Sequence, residues 1–266
     1  MADIVLSGIN IFPIKSAAGI SLPSARVTDR GFEHDRRWML VDTAFNFLSQ
    51  RKFPKMALIH TEISDNFLHI TAPKQSTLRL PLSGCTGKEL SVDIWSDNCP
   101  ARSCGQESDS WFSQFLGMDV HLVYMPDSTR RMTDPKYGED QRTVSFADGY
   151  PFLLISEESL WDLNARLQKP LEMKRFRPNL EISGCQPYEE DSWKMIQIGD
   201  VKFELVKPCS RCSITTVDPR TAAVGKEPLK TLATYRKKGS KVYFGQNLIH
   251  RNTGVLSHNM SVKILQ

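Results

Sequence analysis

The chain has 266 residues, enough for one large domain or two modest ones that each bury a core. Hydrophobic residues make up 40% and charged residues 24%, as in ordinary soluble globular proteins. A net charge of +4 is small for this length and does not indicate the clustered basic face of a nucleic-acid-binding protein. No run approaches the roughly 18–20 apolar residues of a membrane helix, and no secretory signal is visible. The composition therefore predicts a cytoplasmic protein that contacts neither nucleic acid nor a membrane.

The cysteines are sparse for a secreted fold held together by disulfides. They are Cys85, Cys99, Cys104, Cys185, Cys209 and Cys212. We therefore expect free thiols, as in a reducing cytosol.

The first 105 residues have mostly the pattern of short β-strands. Runs of β-branched and apolar residues alternate with turns rich in Gly, Pro, Asn, Asp and Ser. The predicted strands cover residues 4–14, 25–28, 37–41, 57–63, 67–71 and 90–95. Regular short strands of this kind indicate a barrel or a sandwich.

A helix, a long loop and a second helix follow. Ser108 is the predicted N-cap of a helix over residues 111–116 that ends at Gly117. Residues 126–151 form a long polar stretch, and loops of this length are often functional. A strand over 152–155 leads to Ser156, which we predict to cap a helix that runs through Leu167.

The remainder is predicted to be strands with one more helix. The strands cover 180–182, 196–206 with an interruption at Gly199-Asp200, 213–217 and segments up to Leu265, and the helix covers 229–236. The sequence therefore predicts a mainly β, α+β fold with a few short helices. We divide it into a β-rich N-terminal domain, residues 1–122, and a mixed, mainly β domain, residues 123–266.

The most distinctive motif is the pair Cys209 and Cys212 with Arg211 between them. Structural zinc needs four ligands, and neither a second such pair nor suitably spaced histidines accompany it. A thioredoxin-like dithiol precedes a helix, whereas residues 213–217 have the composition of a strand. Two cysteines packed as small hydrophobic residues are the simple alternative, although a neighbouring arginine favours the thiolate. A single thiolate is a sufficient soft ligand when the metal arrives already chelated by an organic cofactor.

An anionic cofactor also needs cationic anchors, for which arginine offers bidentate contacts. Lys15-Ser16 follows the first strand, Asp35-Arg36 begins another, and Arg177 and Asn179 precede a third. Taken singly, each of these segments is more typical of a surface salt bridge than of a binding site.

Taken together, these segments resemble MOSC-domain proteins with an N-terminal β-barrel domain. This family includes the mitochondrial amidoxime-reducing components and bacterial proteins that detoxify hydroxylaminopurines. The matching segments are residues 12–16, 35–36, 145–151, 176–179, 207–218, 227–229 and 244–247, in order along nearly the whole chain.

The resemblance implies a β-barrel MOSC domain and a molybdenum–pterin cofactor (Mo-molybdopterin) whose metal is ligated by Cys212. It implies that the pterin and its phosphate are held by Lys15, Ser16, Arg36, Arg177, Asn179 and Arg211. Pyridoxal phosphate is an alternative ligand associated with the family. Asp148 lies in the family's substrate-side loop, where it could relay protons, or it could simply cap that loop.

The resemblance also implies a reductase of N-hydroxylated compounds such as amidoximes and N-hydroxylated bases. The alternative is a carrier of the molybdenum cofactor, or of sulfur as a persulfide on Cys212, to another enzyme. No dinucleotide fingerprint lies between a strand and a helix, and no cysteine cluster for an iron–sulfur centre follows Cys212. We therefore expect electrons to come from a separate flavin- or iron–sulfur-containing protein.

Overall fold

The computed structural model describes residues 3–136 and 142–266 of the chain. The first strands are β1 (Val5–Ile11), β2 (Ile20–Ser21), β3 (Ser24–Thr28), β4 (Gly31–Phe32), β5 (Trp38–Val41), β6 (His60–Ser64), β7 (Phe67–Thr71), β8 (Leu78–Pro81), β9 (Glu89–Ile94), β10 (Asp97–Ser103) and β11 (His121–Tyr124). The others are β12 (Phe152–Ser156), β13 (Leu180–Ser183), β14 (Met195–Ile198), β15 (Val201–Ser210), β16 (Lys237–Lys238), β17 (Lys241–His250), β18 (Gly254–Ser257) and β19 (Val262–Ile264). The helices are α1 (Gln106–Leu116), α2 (Glu157–Ala165) and α3 (Leu229–Leu232). The predicted mainly β fold with a few short helices is confirmed.

The largest sheet joins the two ends of the chain. Its order is β19-β14-β15-β17-β12-β13-β1-β2, and β16 pairs with β17. Because β1 pairs with β13 and β3 pairs with β18, strand pairing crosses residue 122. The division into 1–122 and 123–266 stays a prediction.

Burial follows the position of each strand. β3 alternates buried Ala25 and Val27 with more exposed neighbours, as in a strand with one face on the core. All five residues of β12 are buried, because it lies between β13 and β17 at the centre of the large sheet. Among the described residues, no helix combines the length and the apolar character that crossing a membrane requires.

The helix caps agree with the sequence at two positions and differ at one. Ser156 caps α2 by accepting a hydrogen bond from the Ser159 amide, and Gly117 ends α1 in the left-handed conformation, both as predicted. The predicted cap at Ser108 is wrong, since that residue lies within α1 and is buried. Gly105 is the cap instead, and its φ of 89° suits glycine.

The predicted strand over 213–217 is also wrong. Residues Ser213–Thr216 form a 3₁₀ helix directly after Cys212. Its hydroxyls satisfy nearby carbonyls: Thr215 Oγ1 donates to the Cys212 oxygen at 3.0 Å, and Thr216 Oγ1 to the Ser213 oxygen at 2.8 Å. Such local bonds compete with strand pairing and override the β-branched composition.

One predicted strand begins later than the sequence indicated. Pro54–Leu58 is a 3₁₀ helix, so the strand predicted to begin at residue 57 begins at His60. Within the long polar stretch, residues 137–141 lie outside the described part of the chain.

The expectation of free thiols is wrong for one pair. Cys85, after β8, and Cys104, just before α1, form a disulfide with their Cα atoms 4.9 Å apart. Folding brings these two cysteines within the Cα range of disulfides, which spacing in the sequence could not reveal. Cys209 and Cys212 are free and half-buried.

Candidate active site

A cavity of about 130 Å³ lies between the loops that follow β1 and β4 and the segment around Cys212. Its lining includes all of the site residues predicted from the sequence: Lys15, Ser16, Arg36, Asp148, Arg177, Asn179, Arg211 and Cys212. Folding therefore brings these residues to one place, while their individual roles stay predictions.

Backbone hydrogen bonds fasten the two N-terminal cationic loops to each other. The Lys15 amide donates to the Trp38 oxygen at 2.8 Å, and the Arg36 amide donates to the Phe12 oxygen at 2.9 Å. The Asp35 carboxylate accepts a hydrogen bond from the Phe12 amide at 2.7 Å. Lys15 and Arg36 are thus held on one framework.

Three cavity residues adopt the left-handed backbone region. Ser16, Arg36 and Arg177 have φ values of 64°, 50° and 58°. For a residue other than glycine, this conformation costs roughly 1–2 kcal/mol. Such strain clusters at functional sites, where the surrounding structure enforces it.

Two arginines stack on one aromatic ring. The guanidinium carbons of Arg36 and Arg177 lie 4.5 and 4.1 Å from the centre of the Phe12 ring. Burial, together with the charge of Arg36, lowers the pKa of Arg177 to about 9. Its Nη1 donates to the Ala17 oxygen, and its buried Nη2 has no partner among the described residues. A bound anion would relieve the repulsion and satisfy this donor.

Arg211 leaves a similar donor unsatisfied. Its Nη2 donates to the Phe176 oxygen at 2.6 Å, and its Nη1 lies 3.0 Å from Cys209 Sγ. Its buried Nε has no partner in the part of the chain that the structure describes. The arginine between the two cysteines therefore binds Cys209 and keeps one N–H group unused.

Asn179 uses its side chain to hold a neighbour. Its Oδ1 accepts a hydrogen bond from Arg36 Nη1 at 3.1 Å, and its Nδ2 donates to the Asn10 oxygen at 3.1 Å. Asn179 is buried, so its amide positions Arg36 at the cavity wall.

Arg51, which the sequence analysis missed, contacts the predicted metal ligand. Its Nε donates to Cys212 Sγ at 3.3 Å, and its Nη2 lies 3.5 Å from Asp148 Oδ2. Arg51 comes from the loop after β5, far from both partners in sequence. No local signal distinguishes it from the neighbouring Lys52.

Lys15 and Asp148 form an ion pair at the cavity mouth. Lys15 Nζ lies 2.6 Å from Asp148 Oδ1 and also donates to the Phe146 oxygen at 2.8 Å. Burial lowers the pKa of Lys15 to about 8, although Asp148 partly opposes this. Burial would raise the pKa of Asp148, but the charges of Lys15, Arg51 and Arg36 outweigh it and hold that pKa well below its usual range.

Asp148 remains accessible to water, and its hydrogen bonds go to side chains. Its side chain is 59% exposed, so water screens these charges but does not remove them. Oδ1 accepts hydrogen bonds from Lys15 Nζ and, at 3.3 Å, from Trp95 Nε1. These contacts differ from the backbone contacts of a loop-capping aspartate.

The loop that carries Asp148 is held by Arg131, a second residue whose part the sequence did not reveal. Its Nη1 donates to the oxygens of Ser145 and Ala147 at 3.0 and 2.6 Å, and its Nε donates to Asp97 at 2.7 Å. Arg131 is buried, so it fixes the course of the loop beside the cavity.

The residues present fit an anionic cofactor that carries a chelated metal. Five cations face two carboxylates around the cavity: Lys15, Arg36, Arg51, Arg177 and Arg211 against Asp35 and Asp148. In residues 3–136 and 142–266 no three His, Cys, Asp or Glu side chains cluster as metal ligands. A metal here would therefore rely on one soft thiolate and on ligands that the cofactor supplies.

Comparison with known sequences identifies both halves of the chain. Residues 3–119 match the MOSC N-terminal beta barrel domain, and residues 141–263 match the MOSC domain. The chain belongs to the MOSC-domain family. The predicted resemblance is confirmed.

Several relatives of this MOSC-domain chain have been named. Mitochondrial amidoxime-reducing component 1 of Mus musculus is 36% identical, over 92% of this chain and 78% of that protein. Its Homo sapiens counterpart is 34% identical, over 96% and 81%. The molybdenum cofactor sulfurase of Oryza sativa subsp. japonica is 35% identical, over 92% of this chain but only 32% of that protein.

The cavity draws on both matched segments of this MOSC-domain chain. Lys15, Arg36 and Arg51 come from the N-terminal beta barrel match, whereas Arg177 and Cys212 come from the MOSC match. The site therefore depends on how the two segments pack together.

Proposed function

We propose that this MOSC-domain protein binds a molybdenum–pterin cofactor and reduces N-hydroxylated compounds such as amidoximes. The main support is that the half-buried thiol of Cys212 faces a cavity with excess cations and two unused arginine donors. The names of the relatives, which refer to amidoxime reduction and to the molybdenum cofactor, support the same chemistry.

In this proposal, the Cys212 thiolate ligates the molybdenum. The unused N–H groups of Arg177 and Arg211 bind the anionic phosphate of the pterin, beside Arg36. Lys15 and Ser16 complete the wall, and Asn179 keeps Arg36 in place. Bound here, the cofactor supplies the two electrons of the reduction.

Reduction of an N-hydroxyl group consumes two electrons and two protons, breaks the N–O bond and releases water. Asp148 is ionised at neutral pH, because the neighbouring cations hold its pKa well below its usual range, so it carries no proton to donate. Lys15 Nζ contacts Asp148 at 2.6 Å and can exchange a proton near neutral pH, because its pKa is about 8. We assign proton donation to the Lys15 ammonium, with Asp148 as the carboxylate that holds this ammonium beside the substrate.

The test is the reduction of benzamidoxime to benzamidine by the purified holoprotein with reduced methyl viologen as electron donor. We expect turnover that requires bound molybdenum. A protein that holds the cofactor or a persulfide without turnover would instead be a carrier, and the reductase proposal would be wrong.

A second measurement addresses the electron donor. We expect NADPH to drive the reaction only when a flavin- or iron–sulfur-containing protein from a host extract is added. Steady NADPH oxidation by the purified protein alone would contradict this expectation.

A further inference from the structure

Trp95 has a strained backbone at the tip of a hairpin. Ile94 of β9 pairs with Asp97 of β10, so Trp95 and Ser96 form a two-residue turn. Trp95 has a φ of 58°, in the left-handed region. Turns of this kind favour glycine or asparagine there, and a bulky aromatic residue is a genuine outlier.

Burial in a hydrophobic core does not explain why a tryptophan occupies this strained turn. The residue is 48% exposed, although its ring contacts Phe47 at 5.0 Å between centroids. The guanidinium of Arg51 lies 4.5 Å from the ring centre. A strained turn that presents a large, half-exposed aromatic ring indicates a function for that ring.

The ring lies next to the candidate active site. Trp95 Nε1 donates to Asp148 Oδ1 at 3.3 Å. The guanidinium that lies over the ring also donates to Cys212 Sγ, so Arg51 joins the indole to the predicted metal ligand. An exposed ring, an exposed carboxylate and the Cys212 sulfur therefore all contact the Arg51 guanidinium.

We propose that Trp95 and Asp148 form a recognition surface for substrates with a flat aromatic body and an amino group. The flat body stacks on the exposed part of the indole, as aromatic rings do. The amino group donates to Asp148, whose carboxylate has about four acceptor positions, of which Lys15, Trp95 and Arg51 face three. This inference rests on the proposed function and narrows its substrates to aryl or heteroaryl amidoximes and N-hydroxylated amines.

The charge of Asp148 also sets a preference among substrates. A carboxylate that is ionised and 59% exposed attracts N–H donors. Aliphatic N-hydroxylated compounds gain nothing from the indole. Trp95 is thus a specificity-determining residue.

The experiment compares two substrates with reduced viologen as donor. Benzamidoxime has a flat ring and an amino group, whereas hydroxylamine has no flat body. In Trp95→Asn, the ratio of kcat/KM for benzamidoxime to that for hydroxylamine should fall about tenfold, mainly through the KM for benzamidoxime. Trp95→Phe keeps a flat ring, so its ratio of the two kcat/KM values should lie between those of the wild type and Trp95→Asn. Trp161→Asn is the matched control, because Trp161 is a 78% exposed tryptophan on α2, outside the cavity lining.

Equilibrium binding of benzamidoxime to the holoprotein separates this inference from the proposed function. Binding that weakens about tenfold in Trp95→Asn supports the surface even if the wild type reduces neither substrate, in which case only the proposed function fails. Binding and a substrate ratio that equal those of the wild type in both Trp95 variants would overturn the inference. Thermal unfolding of each variant verifies the fold, and if Trp95→Asn does not fold, the same two measurements on Trp95→Phe decide the matter.

Discussion

Arg51 Nε lies 3.3 Å from Cys212 Sγ, although 161 positions separate the two residues. The same guanidinium contacts Asp148 and lies over Trp95. One side chain therefore connects the predicted metal ligand, the ion pair at the cavity mouth and the exposed ring. Groups that hydrogen-bond to a metal ligand orient it and tune the metal.

Arg51→Gln removes the cation beside the sulfur while keeping a polar side chain. We expect turnover with reduced viologen to fall about 10- to 100-fold, as for other partners of metal ligands. The reduction potential of the bound metal, measured by redox titration, should shift to lower values because the sulfur donates more strongly. Lys52→Gln, the same change at the next residue, should leave both quantities unchanged. An Arg51→Gln protein with normal potential and rate would contradict this role.

The two cysteines of the motif should respond differently to substitution. Cys212→Ser replaces a soft thiolate with a hard, normally protonated hydroxyl, so turnover should be abolished. Cys209→Ser should keep substantial activity, because the Cys209 sulfur contacts Arg211 at 3.0 Å and is not the assigned metal ligand. The measurement is viologen-driven reduction at equal protein concentration. Equal losses in the two variants, or a larger loss in Cys209→Ser, would show that Cys212 is not the ligand.

Arg177→Ala should lower the pterin content of the purified protein while the fold stays intact. The lost contact is a charge-assisted hydrogen bond worth about 1.5–3 kcal/mol, or roughly ten- to a hundredfold in affinity. Pterin is measured by fluorescence after oxidative release, with wild type and variant competing for limiting cofactor. Arg175→Ala is a suitable control, since Arg175 pairs with Asp218 and is not part of the 130 Å³ cavity lining. Full pterin occupancy in Arg177→Ala would argue against phosphate binding.

The pH dependence of kcat/KM should report the protonation state of Lys15. Its pKa is about 8, so the ammonium is charged below that pH and neutral above it. Because the charged form pairs with Asp148 and supplies the proton, kcat/KM should fall as the pH rises through about 8. In Lys15→Arg the side chain stays charged over this pH range. The kcat/KM of this variant should therefore not fall as the pH rises through about 8, even if its overall rate is lower. A wild-type profile that is flat from pH 7 to 9 would remove Lys15 from proton transfer.

His250 should make the fold acid-sensitive. Burial lowers the pKa of this imidazole to about 4, from 6.5. Between these values the unfolded chain takes up a proton that the folded chain does not, so stability falls as the pH falls from 6.5 towards 4. Between pH 7 and pH 5, protonation of His250 in the unfolded chain should lower the free energy of unfolding by about 2 kcal/mol, as measured by urea denaturation. His250→Leu should lose that part of the pH dependence, whereas the same change at exposed His60 should not. An unchanged slope in His250→Leu would refute the assignment.

Most of the strand pattern could be predicted from the sequence, because hydrophobic alternation and turn residues act locally. Strand β7 and the Gly199-Asp200 interruption between β14 and β15 agree with the structure. The errors arose where local hydrogen bonds or a glycine overrode composition, as at residues 213–217 and at the start of α1.

The sequence by itself also singled out eight residues of the cavity lining, because they lie in short motifs that resemble those of one family. Tertiary structure alone decided the rest. In the sequence, Arg51 is an ordinary loop residue and Trp95 is the last residue of a predicted strand, while Cys85 and Cys104 have no motif. Arg51 gains its role because the first half of the chain packs against the second and places its guanidinium on Cys212. Contacts between residues so far apart depend on the packing of whole sheets, and no local pattern encodes them.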